Sequence, residues 1–195
     1  MTDEALMLAV RDGDVAKLGT LFERYHVALF DFLSRTTGDR AAAEDLVQDV
    51  FVRILKYRRT FREDSCFEAW VFGITRNART DHFRKRSPLE LLGDRDLDVA
   101  APGPGQAQRF EAERDTTRLK RALMLLSDDK RELLVLARYQ DMSYERIGVV
   151  LGIEVGAVKV RVHRAVKELR SIFLRLTDGD ETWNVKKSGT DLRII

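Results

Sequence analysis

The chain has 195 residues, enough for one or two small domains with cores of their own, and 44% of them are hydrophobic against 34% charged. A single cysteine, Cys66, excludes a disulfide framework and suits a reducing cytoplasm, and three scattered histidines beside it leave no metal site or cofactor to expect. The net charge of +2 is close to neutral, so binding of a polyanion requires positive charge sorted by position; the acidic start, Asp3 and Glu4, lacks the basic run and long apolar segment of a secretory or membrane-inserted chain.

In chain order, residues 1–87 carry apolar side chains at helical spacing. Leu21, Phe22, Tyr25, Leu29, Phe32 and Leu33 mark one amphipathic helix. Asp39 can cap the next, whose buried stripe is Ala43, Leu46, Val47, Val50, Phe51, Ile54 and Leu55. Its outer face carries Glu44, Asp45, Gln48, Asp49 and Arg53, with Asp45 and Asp49 one turn apart. Two neighbouring carboxylates suggest a metal or acid/base pair. No histidine or second acidic cluster completes such a site, and a polar docking face for a partner helix fits better.

From Tyr57 to Phe72 the aromatics Tyr57, Phe61, Phe67, Trp70 and Phe72 interleave with Arg58, Arg59 and Arg62. That mixture suits single-stranded nucleic acid, in which unpaired bases stack and cations hold phosphates. Residues 60–66 break the helical pattern and form a candidate loop for an extruded base. Trp70 lies on the buried stripe with Val71, Ile74 and Ala78 and reads as core, whereas Phe61 and Phe67 fit either role. Ser65 with Glu68 three residues on has the form of a capping box. The helix continues with Arg76, Asn77, Arg79, Thr80, Phe83 and Arg84 away from that stripe. Residues 76–86 hold five cations against Asp81, while 90–98 hold four carboxylates against Arg95.

Residues 88–108 contain all three prolines and several glycines without periodicity, and read as a flexible linker. Helices are predicted over 109–126, 129–140, 144–151 and 155–175, with Ser127 capping the second. Ser143 caps the third, and Gly152 supplies positive φ for a helix-turn-helix. The last of these helices has the stripe Val158, Val162, Ala165, Val166, Leu169, Ile172 and Phe173. Its other face bears Lys159, Arg161, His163, Arg164, Lys167 and Arg170 against Glu168; leaving His163 aside, five positive charges minus one give +4 over residues 159–170. A helix presented in this way fits the DNA major groove. Residues 177–195 are polar and read as a frayed tail. The fold class is therefore all-α: two small helical domains, 1–87 and 109–176, joined by a flexible linker.

Four stretches in this order resemble the extracytoplasmic-function (ECF) sigma factors of bacterial RNA polymerase: residues 43–51, 67–77, 81–86, and 142–148 continuing through 158–165. The resemblance implies a sigma domain 2 whose Asp45, Gln48, Asp49 and Arg53 dock on the β′ clamp helices of core polymerase. Arg62, Asp64 and Ser65, in the loop that runs to Cys66, would receive a flipped base of the −10 element. Asn77, Arg79, Thr80, Phe83 and Arg84 would approach the −10 DNA, with Lys85 and Arg86 on its backbone. The second domain would be a sigma domain 4, which also meets the polymerase β flap. Its Glu154, Gly156, Ala157, Lys159, Arg161, His163, Arg164 and Lys167 would meet the −35 element. Ser127, Ala157 and Val160 stand where the family usually has Pro, Thr and Ser. The family also implies an anti-sigma factor and a cytoplasmic, non-enzymatic role. The rival readings are a stand-alone helix-turn-helix regulator and a metal-dependent nuclease built on Asp45 and Asp49.

Overall fold

The computed structural model describes residues 1–85 and 107–188, with the side chains of residues 85, 107–113 and 178–188 outside the description. Among the described residues there are eight α-helices, one 3-10 turn and no strand. The first four helices are α1 (Asp3–Asp12), α2 (Lys17–Thr37), α3 (Arg40–Tyr57) and α4 (Phe67–Lys85), and Arg58–Thr60 forms the 3-10 turn. The apolar spacing did not single out α1. It is started by Thr2, whose Oγ1 accepts the Ala5 N–H at 3.2 Å, and stopped by Gly13 in the left-handed region. Asp39 caps α3 as its position predicted, accepting the Ala42 N–H at 2.9 Å.

α2 packs against α1, α3 and α4, and the shared core is built on Phe32, Phe61, Phe67 and Phe72. Phe61 and Phe67, left open between core and surface, are 1% and 0% exposed and belong to the core. Phe67 meets Tyr25 edge to face at 5.0 Å, and Phe61 meets Trp70 at 5.3 Å. The Tyr25 hydroxyl donates to Asp3 at 2.7 Å, which ties α2 to the start of α1. Burial first, and then this bond to a carboxylate, push the Tyr25 phenol well above its ordinary pKa. In the unfolded chain the phenol ionises near pH ~10, so the unfolded state loses its proton first and stability falls as pH rises beyond that point. The thermal midpoint should therefore drop above pH ~10 more steeply in the wild type than in Tyr25→Phe. Equal slopes would remove Tyr25 from the account.

The expected capping box at Ser65 and Glu68 does not form. The Phe67 N–H is met by Glu4 Oε1 of α1 at 3.3 Å, and Glu68 is drawn away to Arg146. A carboxylate arriving from α1 does the same electrostatic work at the helix N-terminus as a local cap.

The remaining helices are α5 (Ala107–Met124), α6 (Asp128–Arg138), α7 (Tyr144–Leu151) and α8 (Val155–Ser188). Helix α8 lies against α5, α6 and α7. It runs to Ser188, so the stretch expected to fray from residue 177 is helical through that residue. One interior glycine, Gly179, costs only about 1 kcal/mol against Ala and does not by itself end a helix. Ser127 stands at the N-cap of α6 but its side chain makes no capping bond. Asp128 and Asp129 in the first turn supply the negative charge that the dipole favours there.

The two helical groups are in contact, α4 with α7 and α2 with both α5 and α6. Arg131 of α6, 5% exposed, is the central polar joint. It donates to the carbonyl oxygens of Leu123, Met124 and Leu126 at 2.9–3.1 Å, and at 2.9 Å to that of Thr36 in α2. One buried guanidinium thus satisfies the end of α5 and grips the other domain, which Leu at this position could not do.

Candidate nucleic-acid interface

On α3 the alternation of buried and outward residues leaves Glu44, Asp45 and Gln48 exposed and Asp49 partly so. Arg53 departs from the expected face. Its side chain is 18% exposed and turned to α4, with Nε 2.8 Å from Asp49 and Nη1 2.8 Å from Asp81. Burial alone would disfavour its charge, but the carboxylates of Asp81 and Asp49 outweigh that and raise its pKa. Arg53 is therefore a strut that orients Asp49 and joins α3 to α4, and the acidic face offered outward consists of Glu44, Asp45 and Asp49 with Gln48.

The loop after the 3-10 turn presents Arg62 and Asp64, both exposed and 3.5 Å apart, with Ser65 and Cys66 partly buried behind them. Phe61 and Phe67 brace its two ends from within the core. Beyond the loop, α4 turns Asn77, Thr80 and Arg84 outward, with Phe83 partly exposed and edge-on to His82 at 5.8 Å. The Lys85 side chain and Arg86 lie outside the described residues.

Arg79 is the main departure on this helix. Expected toward DNA, it is 5% exposed and reaches across to Glu132 of α6, itself 2% exposed, with Nη2 3.3 Å from Oε2. Arg76 joins the same carboxylate, its Nε 3.1 Å from Oε1. Nothing in local spacing marks Glu132, because its partners lie more than fifty positions earlier in the chain.

The helix-turn-helix follows the sequence closely. Ser143 Oγ accepts the Arg146 N–H at 3.3 Å, and Gly152 ends α7 with φ 65°. Gly148 is required for a different reason: a Cβ there would sit 2.8 Å from the Ile153 carbonyl oxygen, so the turn closes directly over it. On α8, Val158, Val162, Ala165 and Ile172 are buried, while Val166 is 38% exposed and departs from the expected stripe. Glu154, Gly156, Lys159, Arg161, His163, Arg164 and Lys167 are exposed, and Ala157 partly so. The basic face of α8 is therefore open along its length. Three groups of ligating type that could hold a metal ion occur nowhere among the described residues. No described helix is long and apolar enough to cross a membrane.

A basic, aromatic-braced helix on one domain and a helix-turn-helix on the other define a sigma-type transcription initiation factor, and family models agree. Sigma-70 region 2 matches residues 21–88 and Sigma-70 region 4 matches residues 116–169. The ECF RNA polymerase sigma factor SigE of Mycolicibacterium smegmatis is 32% identical over 181 residues, 89% of this chain and 70% of SigE. The RNA polymerase sigma factor CnrH of Cupriavidus metallidurans is 32% identical over 88% of this chain and 94% of its own length. A solved structure of CnrH with the cytosolic domain of CnrY superposes with a TM-score of 0.65, covering 91% of this chain and 98% of that one. The sigma factor RpoE of Bartonella quintana, solved with the anti-sigma factor NepR, superposes at 0.61 with 29% identity over 79% of this chain and 94% of that one. The chain belongs to the ECF family of RNA polymerase sigma factors. Members of this family are transcription initiation factors rather than enzymes.

Proposed function

We propose that the protein binds bacterial core RNA polymerase in the cytoplasm and directs it to promoters carrying its own −35 and −10 elements. The observation that carries this reading is the presence on one chain of two separate outward polar surfaces of different chemistry. One is the α4 face of Asn77, Thr80 and Arg84 beside the loop of Arg62, Asp64 and Ser65; the other is the basic face of α8. A long basic helix suits duplex DNA in the major groove, whereas a loop backed by aromatics suits an unstacked base. The acidic face of Asp45 and Asp49 would meet the β′ clamp helices, and domain 4 the β flap. Capturing unstacked bases offsets the few kcal/mol that opening each step costs, so the factor drives melting by binding alone. By analogy with the relative bound to NepR, an anti-sigma factor would cover these surfaces.

Gln48, Phe83, Lys85 and Arg86 take the supporting positions on these surfaces, and Arg79 joins them only once released from Glu132. On α8, Ala157 and Val160 offer no hydroxyl to the DNA, which throws the weight of −35 binding onto Lys159, Arg161, His163, Arg164 and Lys167, with Glu154 and Gly156 at the helix start.

Replacing Arg161 or Arg164 with Ala should lower initiation from −35-dependent promoters. A base-edge contact should cost ~1–3 kcal/mol and relax preference at one base pair, and a phosphate contact should weaken all sequences alike. Transcription from a promoter library separates the two. Unchanged output from both variants would contradict the placement of α8 on the −35 element.

A further inference from the structure

Where the domains meet, α4, α6 and α8 share a cleft. Arg76 of α4 and Arg161 and Arg164 of α8 line one cleft of about 330 Å³, together with Ser127, Lys130 and Glu132. Behind it Arg79 is buried against Glu132. Elsewhere along the domain boundary the joint is also polar: Arg146 pairs with Glu68, Gln140 donates to Asp31 at 3.3 Å, and Arg35 lies 3.9 Å over the Tyr139 ring.

Glu132 is placed and charged as a DNA phosphate would be. Arg76 Nε and Arg79 Nη2, both from the helix read as facing the −10 element, donate to its Oε2 at 3.3 Å, and its other oxygen is buried without a hydrogen-bond partner in the protein. We propose that Glu132 is an internal stand-in for promoter phosphate, which holds the free protein closed by occupying Arg79, a −10 contact, together with its helix neighbour Arg76. This rests on the sigma reading above.

Two physical facts support it. First, the closed form cannot serve both promoter elements. Elements named for positions −35 and −10 are centred about 25 base pairs apart, or ~85 Å at ~3.4 Å per pair. A folded chain of 195 residues has a radius of gyration near ~16 Å, so the closed form is too short. Residues 86–106 can span at most ~70 Å when extended, which is enough to let the domains part. Second, the clasp is incompletely satisfied. Nε and Nη1 of Arg79 have no hydrogen-bond partner in the protein, although both are buried. A buried guanidinium with idle donors gains by exchanging its single carboxylate contact for hydrated phosphates, so the joint holds without DNA and yields to it.

The test uses the full chain as wild type, Glu132→Gln and Arg146→Ala. The second variant cuts a cross-domain pair that touches neither DNA surface. Small-angle scattering reports the radius of gyration, circular dichroism the helix content, and fluorescence anisotropy the affinity for a single-stranded −10 oligonucleotide without polymerase. With helix content unchanged, E132Q should expand the molecule and bind the oligonucleotide about tenfold more tightly, and R146A should move both readouts the same way by about threefold in affinity. Unchanged radius and affinity in both variants would overturn the proposal. Expansion without tighter binding would overturn it too, because the clasp would then not compete with DNA. Run-off transcription with core polymerase reads the sigma assignment separately. If all three proteins initiate while affinity stays fixed, only the clasp fails; if none initiates, the sigma reading fails.

Discussion

Substituting Arg131 with Ala is expected to destabilise the protein by about 3–5 kcal/mol, because several buried carbonyls lose their donor and the truncated stem leaves a cavity. The residue is 5% exposed and donates to four carbonyl oxygens, one of them Thr36 in the other domain. Truncation orphans those acceptors, removes the partner of Asp128, which lies 3.3 Å away, and leaves a cavity at the end of α5. For a chain of this size that corresponds to a fall in thermal midpoint of roughly 10 °C. Arg131→Met restores much of the stem volume but none of the donors. It should recover only the packing share and remain well below wild type. A loss under about 1 kcal/mol in Arg131→Ala by urea denaturation would show that water satisfies the carbonyls as well as the guanidinium does.

The second large effect is at Asp49. Its carboxylate is 43% exposed, so reversing the charge should leave the fold within about 0.5 kcal/mol of wild type. If Asp49 meets a basic partner surface, removing such a contact costs ~2–5 kcal/mol, and reversal lies at the upper end. Asp49→Arg should therefore weaken binding to core polymerase by about 100-fold or more. It also sets a cation one turn from Arg53, freeing that strut from Asp49 but leaving its bond to Asp81. Asp49→Asn separates these contributions, because it removes the charge without repelling Arg53. Titration of labelled protein with core enzyme gives both numbers, and affinity equal to wild type in Asp49→Arg would exclude this face from docking.

What was legible in the sequence is what local spacing controls. The stripe of α3, with Ser143, Asp39 and Gly152, acts within four or five residues, and the structure follows it. The helical breadth of the fold follows too, because every described element is a helix or a helical turn. Illegible were the joints whose partners lie far apart. Arg79 stands in a run of cations and reads as facing solvent or DNA. Only the fold brings α6 beneath it, and Glu132 carries no local sign of that role. Glu68 completed a capping pattern on paper, yet a cation on α7 competes for it, while Glu4 from the first helix serves the N–H instead. Arg53 misled for the same reason, since Asp81 is invisible to any count along α3. The candidate site was thus readable as a set of surfaces, and its closure against the second domain was not.

These joints also indicate how the surfaces are kept ready. The described ion pairs across the domain boundary involve residues of α4, α6 and α7 rather than the exposed cations of α8. The basic face of α8 therefore keeps its charge uncommitted along most of its length, while Arg76 and Arg79 of α4 are engaged by Glu132.

The measurement that bears most directly on the account is run-off transcription from a pooled genomic template with bacterial core polymerase, with and without the protein. New, discrete start sites that require the protein and share −35 and −10 motifs are expected. No added transcripts, together with tight duplex binding by the protein alone, would contradict it and point to a stand-alone helix-turn-helix regulator.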